Sequence, residues 1–385
     1  GQFEKFRRGS FYITRLAFDE AWTMDDSVQP LFPVPSCVVF ARRRATAKPV
    51  PDTVTAYSGE LPYRDSPEEI ADKRLKVRVN APIPAAGQFE GGSPYRKAFR
   101  QGATLVPRML CLVERRSSGG ILGGDASRPH VASRRTTQEK APWKFLLGIE
   151  GAVESEFLRP VLLGESILPY RVFQTFEGVV PSTPEGKILD AEAAATRGLS
   201  GLSGWMRSAE AVWNEDRPSP ISFVQQLDYY GKLASQFPLS DTRVLYAKAG
   251  TIPAACVLRD SAPVIDHMLY WIPVSGELEG RYLAAILNSE TVRKRIERLQ
   301  SRGQWGARHF DKVMFTLPIP LFDPDNALHC ALAEAAEEAE RIAASVPLPD
   351  NVKFQRARKL VRDALSDAGI AQRIDALVAR LLDGD

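Results

Sequence analysis

Residues 301 to 322, SRGQWGARHFDKVMFTLPIPLF, gather Arg302, Trp305, Arg308, His309 and Lys312 on backbone interrupted by Gly303 and Gly306. Side chains of these types at this density suit holding a phosphate, reading a base edge, or capping a strand. Gln304 carries the bidentate amide that matches adenine, Arg308 suits guanine or a phosphate, and Trp305 can stack on a base or fill a core pocket. Just upstream, NSETVRKRIERLQS offers Asn288 or Ser289 as the N-cap of a helix whose Val292, Ile296 and Leu299 form one apolar face. Arg295, Arg298 and Arg302 fall at spacings of three and four on the opposite face, where guanidinium groups can follow phosphates or meet a guanine edge. The helix is expected to stop at Gly303.

Charge along the chain is segregated. The 385 residues carry a formal net charge of only +3, too small to mark a polyanion partner. From Ser93 to Lys144, however, eleven Lys and Arg stand against Glu114, Asp125 and Glu139, a local balance of +8. From Arg281 to Lys312 the balance is eight cations against three acids, +5, and from Asp323 to Asp350 it is seven acids against Arg341, −6. Two basic blocks in a nearly neutral chain suit a phosphate-rich partner, since each Lys or Arg on a phosphate releases counterions. The same pattern is also that of an ordinary solvated face.

Several chemistries are excluded. There is no Gly-x-Gly and no phosphate loop ending in Lys-Ser/Thr, so neither common nucleotide-binding glycine turn is present. The glycine-rich GGILGG at 119 to 124 and GLSGLSG at 198 to 204 read as loops. The acids of EGAVESEF read as surface carboxylates, and no Ser, Cys or Lys sits in a nucleophile motif, so no catalytic residue is assigned. Cys37, Cys111, Cys256 and Cys330 and the histidines His130, His267, His309 and His329 lack metal-ligand spacing, so no metal is expected and the cysteines read as reduced core residues. Without a signal peptide or an apolar stretch of about 18 residues, no membrane association is expected and the cytoplasm is the expected compartment.

The elements that must position these residues read as an α+β protein: a mixed, largely antiparallel sheet region with a helical C-terminal region. FYITRLAFDEAW and LFPVPSCVVFARR read as two strands of one sheet. LKVRVN reads as a strand with Leu75, Val77 and Val79 on one face. GATLVPRMLCLVER, ILPYRVF, RVLYAKAG, AACVLRD and HMLYWIPV are apolar runs separated by turn residues. Beyond Asn326, Leu328, Leu332, Ala335, Ala339 and Ile342, then Ile370, Ile374, Leu377 and Leu381, recur at helical spacing. The expected organisation is 1–44 as the end of one sheet, 45–100 as a linker or insertion, 101–325 as a recognition domain, and 326–385 as C-terminal helices.

LFPVPSCVVFARR, GATLVPRMLCLVER, FLRPVLLGESILPYRVF and the run from RYLAAILNSE to LPIPLF, taken in order, resemble the adenine-specific DNA methyltransferases of restriction-modification and phage-defence systems. The likeness includes their fused nuclease forms and, for the last run, type I specificity subunits, and it spans most of residues 1 to 330. The resemblance implies that residues 1–44 end a methyltransferase fold and that a DNA target-recognition domain follows. It implies duplex DNA as partner, a target adenine flipped from the helix, and S-adenosylmethionine as cofactor of the full-length enzyme. The Asn/Asp-Pro-Pro-Tyr/Phe motif of that family is absent, for the chain has no Pro-Pro dipeptide, and so is the glycine motif for the cofactor. The expectation is therefore a C-terminal part that holds no cofactor itself and works with an N-terminal catalytic region, and with a nuclease domain or subunit. Arg96, Lys97, Arg100, Arg134, Arg135 and Lys144 are its expected backbone contacts, with base reading around Gln304 to His309. The alternative is an assembly module or specificity-like subunit that docks a separate methyltransferase or nuclease through the C-terminal helices.

Overall fold

The computed structural model describes residues 2–25, 27–28, 31, 36–82, 92–116, 125–136, 139–215, 220–297, 300, 302–303, 306–307 and 309–384. They form two compact units, residues 1–90 with 297–309, and residues 91–296 with 310–385. The fold class is α+β, with mostly antiparallel sheets and a helical C-terminal region.

In the first unit the strand Thr14–Met24 pairs antiparallel with Ser36–Arg43, from Leu16↔Arg43 to Met24↔Ser36, with a bulge at Phe18/Glu20. Thr53–Ser58 adds parallel to Thr14–Met24, and Lys76–Pro82 adds antiparallel to Thr53–Ser58. The segment 45–100 thus contributes two strands to the same sheet as residues 1–44. The strand expected in LKVRVN forms, but Val77 and Val79 are exposed and Ala81 is its buried residue. Lys76–Pro82 is an edge strand over a core of Ala21, Val54 and Ala81, too small to cover its outer valines. Cys37 is exposed, unlike the core position expected of it.

A correction falls at the basic helix. Ser289 is its N-cap, its hydroxyl accepting from Val292 N at 3.1 Å, and Val292 and Ile296 are buried. The helix is Glu290–Ile296, however, and Arg302–Gly303 pairs as a strand with Gly306–Ala307, in the first unit. Arg302 is therefore not on a helical face with Arg295. Glycines at 303 and 306 are poor helix formers and favour a short hairpin connection, which wins over the spacing of the arginines.

The second unit has two main sheets. One runs Val264–Ile265, Leu158–Leu162, Phe176–Val179, Leu112–Arg115, His130–Ser133, Glu150–Ala152; only the first pair in that order is parallel. The other, wholly antiparallel, runs Ala255–Leu258, Arg243–Ala247, Leu269–Pro273, Arg100–Gln101. Leu162, Ile167, Leu245, Cys256, Ile265 and Trp271 share one core cluster. Val244, Tyr246, Val257 and Ile272 share another with helices Glu277–Asn288, Ala327–Ser345, Phe354–Asp367 and Ile370–Asp383. Burial on both faces explains why Val244–Ala247 is continuously apolar instead of alternating; Arg243 before it is buried too, its Nη2 donating to Asp260 O at 2.9 Å.

The stripe Leu332, Ala335, Ala339, Ile370, Ile374 lies inside this unit's own core. The buried Arg358 adds to the attachment of the C-terminal helices, donating from Nε to Ile167 O at 3.1 Å and from Nη2 to Gly164 O at 2.6 Å. The face that motivated a docking role is thus occupied by intramolecular packing. GLSGLSG, expected to be a loop, opens the helix Ser200–Trp213. Glu154 of EGAVESEF accepts from Gly201 N at 2.9 Å and Leu202 N at 2.7 Å, so a carboxylate satisfies the first orphan donors of that helix. GGILGG lies outside the described residues.

Candidate nucleic-acid interface

Three chain segments of the second unit converge behind one patch of cations. The buried Gln236 donates to Ile265 O at 2.9 Å and accepts from Ile265 N at 2.8 Å, which ties the segment after Tyr230 to the edge of the six-stranded sheet. Ala103 N donates to the same Ile265 carbonyl at 2.7 Å, and His267 N to Ala103 O at 2.8 Å. Backbones approach so closely here that a Cβ on Gly102 would lie 2.3 Å from Ile265 O and 2.4 Å from Asp266 O. Only glycine fits. The buried Asp266 carboxylate accepts from Met268 N and meets His267 Nδ1, both at 2.9 Å, which orients the imidazole and leaves Nε2 as its remaining polar atom.

On this frame Gln101 works as a clamp. Its Nε2 donates to His267 O at 2.8 Å while its Oε1 accepts from Lys232 Nζ at 2.8 Å. Burial lowers the pKa of Lys232, and the ammonium of Lys248 lowers it further. Lys248 ends the strand Arg243–Ala247. Its N–H donates to Met268 O, its carbonyl accepts from Phe310 N, and its Nζ lies 3.6 Å from Asp311 Oδ1. Asp311 is held in turn by Tyr246, whose hydroxyl donates to its carbonyl, and by Tyr270, whose hydroxyl donates to its carboxylate at 3.3 Å; the two rings stack at 5.1 Å. Lys312 follows, its pKa lowered by burial and then by the guanidinium of Arg96. Arg100 donates to Ser235 O at 3.2 Å, its guanidinium carbon 5.7 Å from the centre of the Trp271 ring.

Arg96, Arg100, Lys232, Lys248 and Lys312 therefore form one patch. Burial and then a cationic neighbour lower the pKa of Lys232 (beside Lys248) and of Lys312 (beside Arg96). Asp311 beside Lys248 joins the two pairs, and Arg100 precedes the Gln101 that holds Lys232. Such a run gains free energy when an external anion settles on it, because the anion relieves like-charge repulsion and releases counterions. The aromatic pair Tyr229 and Tyr230 borders it at Lys232. Asp228 holds their turn, its Oδ1 accepting from Leu233 N at 3.0 Å and Ala234 N at 2.9 Å.

The residues expected from sequence divide accordingly. Arg96, Arg100 and Lys312 are brought together in this patch, and Lys97 is exposed on the same short helix, Tyr95–Ala98, as Arg96. Arg134 pairs with Glu114 at 3.5 Å and lies 4.3 Å from the Phe176 ring centre. Arg135 turns toward its own chain, donating to the carbonyls of Leu146, Trp143 and Lys144 and pairing with Glu139 at 2.8 Å. Lys144 is exposed beside Phe145. Arg295 pairs with Asp383 at 2.7 Å. In the first unit Arg302 lies on its short strand, and His309 is exposed, its carbonyl accepting from Gln300 Nε2 at 3.0 Å. Arg298, Gln304, Trp305 and Arg308 lie outside the described residues.

Counting charge along the sequence misses Lys232 and Lys248, single cations outside the basic blocks, and the uncharged Gln101 and His267. The available signals were local: the tandem Tyr-Tyr-Gly-Lys of LDYYGKL, and a lysine directly after a buried strand in RVLYAKAG.

No protein-family profile matches the chain, and neither does any curated protein. Among solved structures it is similar to the Type IIL restriction-modification enzyme MmeI in complex with DNA, at a TM-score of 0.46 and 12% identity over 96% of this chain and 43% of that one. It is also similar to the type IIG restriction endonuclease BpuSI, at a TM-score of 0.32 and 13% identity over 98% of this chain and 44% of the other. The chain thus spans less than half the length of either enzyme.

Proposed function

We propose that this chain is the DNA-recognition portion of a restriction-modification enzyme, and that it grips the duplex backbone with the cationic run from Arg96 to Lys232. The observation that carries this reading is the run itself. Cations from four separate stretches of sequence are gathered into it, Arg100 held by Ser235 O and the Trp271 ring, Lys232 by the Gln101 amide and Lys248 by Asp311. Phosphate contacts of this kind position a protein on the duplex, and base reading falls to other side chains, which we assign to the stretch from Gln304 to His309.

For the whole enzyme we propose methylation of an adenine at its exocyclic nitrogen, the base being rotated out of the duplex. The chain's residues do not fit the methyl donor: it has no Gly-x-Gly turn and no Pro-Pro motif, so S-adenosylmethionine and the reacting groups are assigned to a region outside it. The cytoplasm is the proposed compartment. Among the described residues no helix is long and apolar enough to cross a membrane.

The test is fluorescence anisotropy of the purified chain on a labelled duplex across a salt series. The expected outcome is binding at low salt that weakens steeply as salt rises, with a slope of about −0.9 per phosphate neutralised. Failure to bind any duplex at low salt would refute the reading.

A further inference from the structure

Tyr229 and Tyr230 belong to none of the hydrophobic core clusters of the fold. They are 42% and 82% exposed, with centroids 4.4 Å apart and planes inclined at 62°. Tyr230 sits at φ 58°, ψ 30°, and Gly231 follows at φ 67°. A left-handed tyrosine is uncommon and is retained only where surrounding contacts determine it. Those contacts are present: Gly231 N donates to Asp228 O at 2.7 Å, and Asp228 Oδ1 takes two further backbone N–H groups from the far side of the turn. Gln236 then pins the segment to Ile265 through both amide atoms. A rigid support thus carries a large apolar group into solvent, next to Lys232 and its neighbour Lys248.

We propose that Tyr229 and Tyr230 form a wedge that enters a base-pair step of duplex DNA held on the cationic run, with Tyr230 inserting and Tyr229 bracing it. The proposal rests on the DNA-binding reading above and adds a distortion of the duplex to it. Flanking lysines select a polyanion, and aromatic faces stack on any base, which together specify a nucleic acid. The inclination of the rings selects among nucleic acids. Two planes at 62° cannot both lie parallel to successive bases, so the pair does not form a platform for a continuous single strand. One inserted ring backed by a second is instead the geometry of a side chain that unstacks a single step.

The experiment uses the full chain with the variants Tyr230→Ala, Tyr230→Phe and Lys232→Ala. Closed circular plasmid is relaxed by topoisomerase in the presence of each protein, and the change in linking number reports helix unwinding without knowledge of the target sequence. Anisotropy on a paired duplex, and on the same duplex with one central mismatch, reports affinity. The wild type is expected to shift the linking number and to favour the mismatched duplex, in which part of the unstacking has already occurred. Tyr230→Ala is expected to lose both effects and to bind the paired duplex about tenfold more weakly, while Tyr230→Phe keeps them. Lys232→Ala is expected to reduce the salt slope yet still unwind plasmid at saturating protein. A linking-number shift unchanged in Tyr230→Ala, or a wild type that prefers single strands over duplex, overturns the wedge while leaving DNA binding in place. Absence of binding by the wild type overturns both.

Discussion

Lys232 Nζ and Gln101 Oε1 meet at 2.8 Å although 131 positions separate them in the chain. The same glutamine amide donates to the carbonyl of His267, so one side chain fixes an ammonium group, a strand end and the turn that carries the Asp266–His267 pair. The cationic run therefore exists only when Arg100–Gln101 has paired with Leu269–Pro273, and binding by this patch reports the folded state of the sheet beneath it.

Removal of individual cations should act on salt dependence in a graded way. Lys232→Ala and Lys248→Ala are each expected to weaken duplex binding at all sequences alike and to reduce the salt slope by about 0.9. Anisotropy across a salt series checks this. A slope unchanged in both single variants would place the phosphates elsewhere. Arg135→Ala is the comparison, because its guanidinium is engaged with three carbonyls and Glu139 and should leave the slope nearly intact.

Gly102→Ala should be damaging despite adding one methyl group. The added carbon would lie within 2.6 Å of three backbone atoms of Ile265 and Asp266, none of which can swing aside as a flexible side chain does. The adjacent strands must shift, at about 1–3 kcal/mol or more. Urea unfolding followed by circular dichroism should show a lower midpoint with an unchanged slope. DNA affinity should fall as well, since Gln101 and His267 flank the displaced segment. A midpoint equal to that of the wild type would mean that the backbone yields there without strain.

Most of the strands in RVLYAKAG, AACVLRD and HMLYWIPV and the C-terminal helices Ala327–Ser345 and Ile370–Asp383 were legible in the sequence because apolar periodicity reports burial directly, whereas Phe354–Asp367 between them was not singled out. The basic helix was legible at its start, where Ser289 caps it, and misjudged at its end, where the spacing of Arg302 is helical but Gly303 and Gly306 pair as strands. The site was legible only in part. Arg96, Arg100 and Lys312 stand in stretches of visible basic excess. Lys232, Lys248 and Gln101 join them through β pairing and backbone contacts between segments more than a hundred residues apart, which no local pattern encodes. Arg135 shows the converse, a cation in a basic block whose hydrogen bonds serve its own loop.

Acid should destabilise the C-terminal helices through His329. Its ring is buried 4.8 Å from that of Tyr282, and its Nδ1 accepts from Asp323 N at 3.0 Å. Burial holds its pKa below the usual value, with the Asp323 carboxylate partly opposing. The unfolded chain therefore takes up a proton near pH 6.5, where the folded protein does not, and stability falls as pH drops from about 7.5 through 6.5 toward the folded value. One such group contributes at most about 1.4 kcal/mol per pH unit in that window. Urea midpoints at pH 7.5, 6.5 and 5.5 should decline less steeply for His329→Gln than for the wild type. Parallel declines would assign the acid sensitivity to other groups.

Asp228 should matter to the aromatic turn out of proportion to its small size. One carboxylate oxygen accepts from Leu233 N and Ala234 N, and the backbone oxygen of the same residue accepts from Gly231 N, so three bonds from one residue close the turn around Tyr230. Asp228→Ala leaves two backbone donors without this partner and is expected to cost about 1–3 kcal/mol locally, enough for Tyr230 to leave its left-handed conformation. Chymotrypsin, which cuts after aromatic residues in chains that open to an extended form, should then nick the variant at Tyr229 or Tyr230 at least several-fold faster than the wild type. Asp228→Asn keeps an acceptor oxygen in the same place and should cleave at an intermediate rate. Duplex binding should follow the same order, wild type tightest and Asp228→Ala weakest, because a mobile tyrosine must be ordered again on contact. If Asp228→Ala resists chymotrypsin as well as the wild type does, the turn is held by its neighbours and the carboxylate is dispensable.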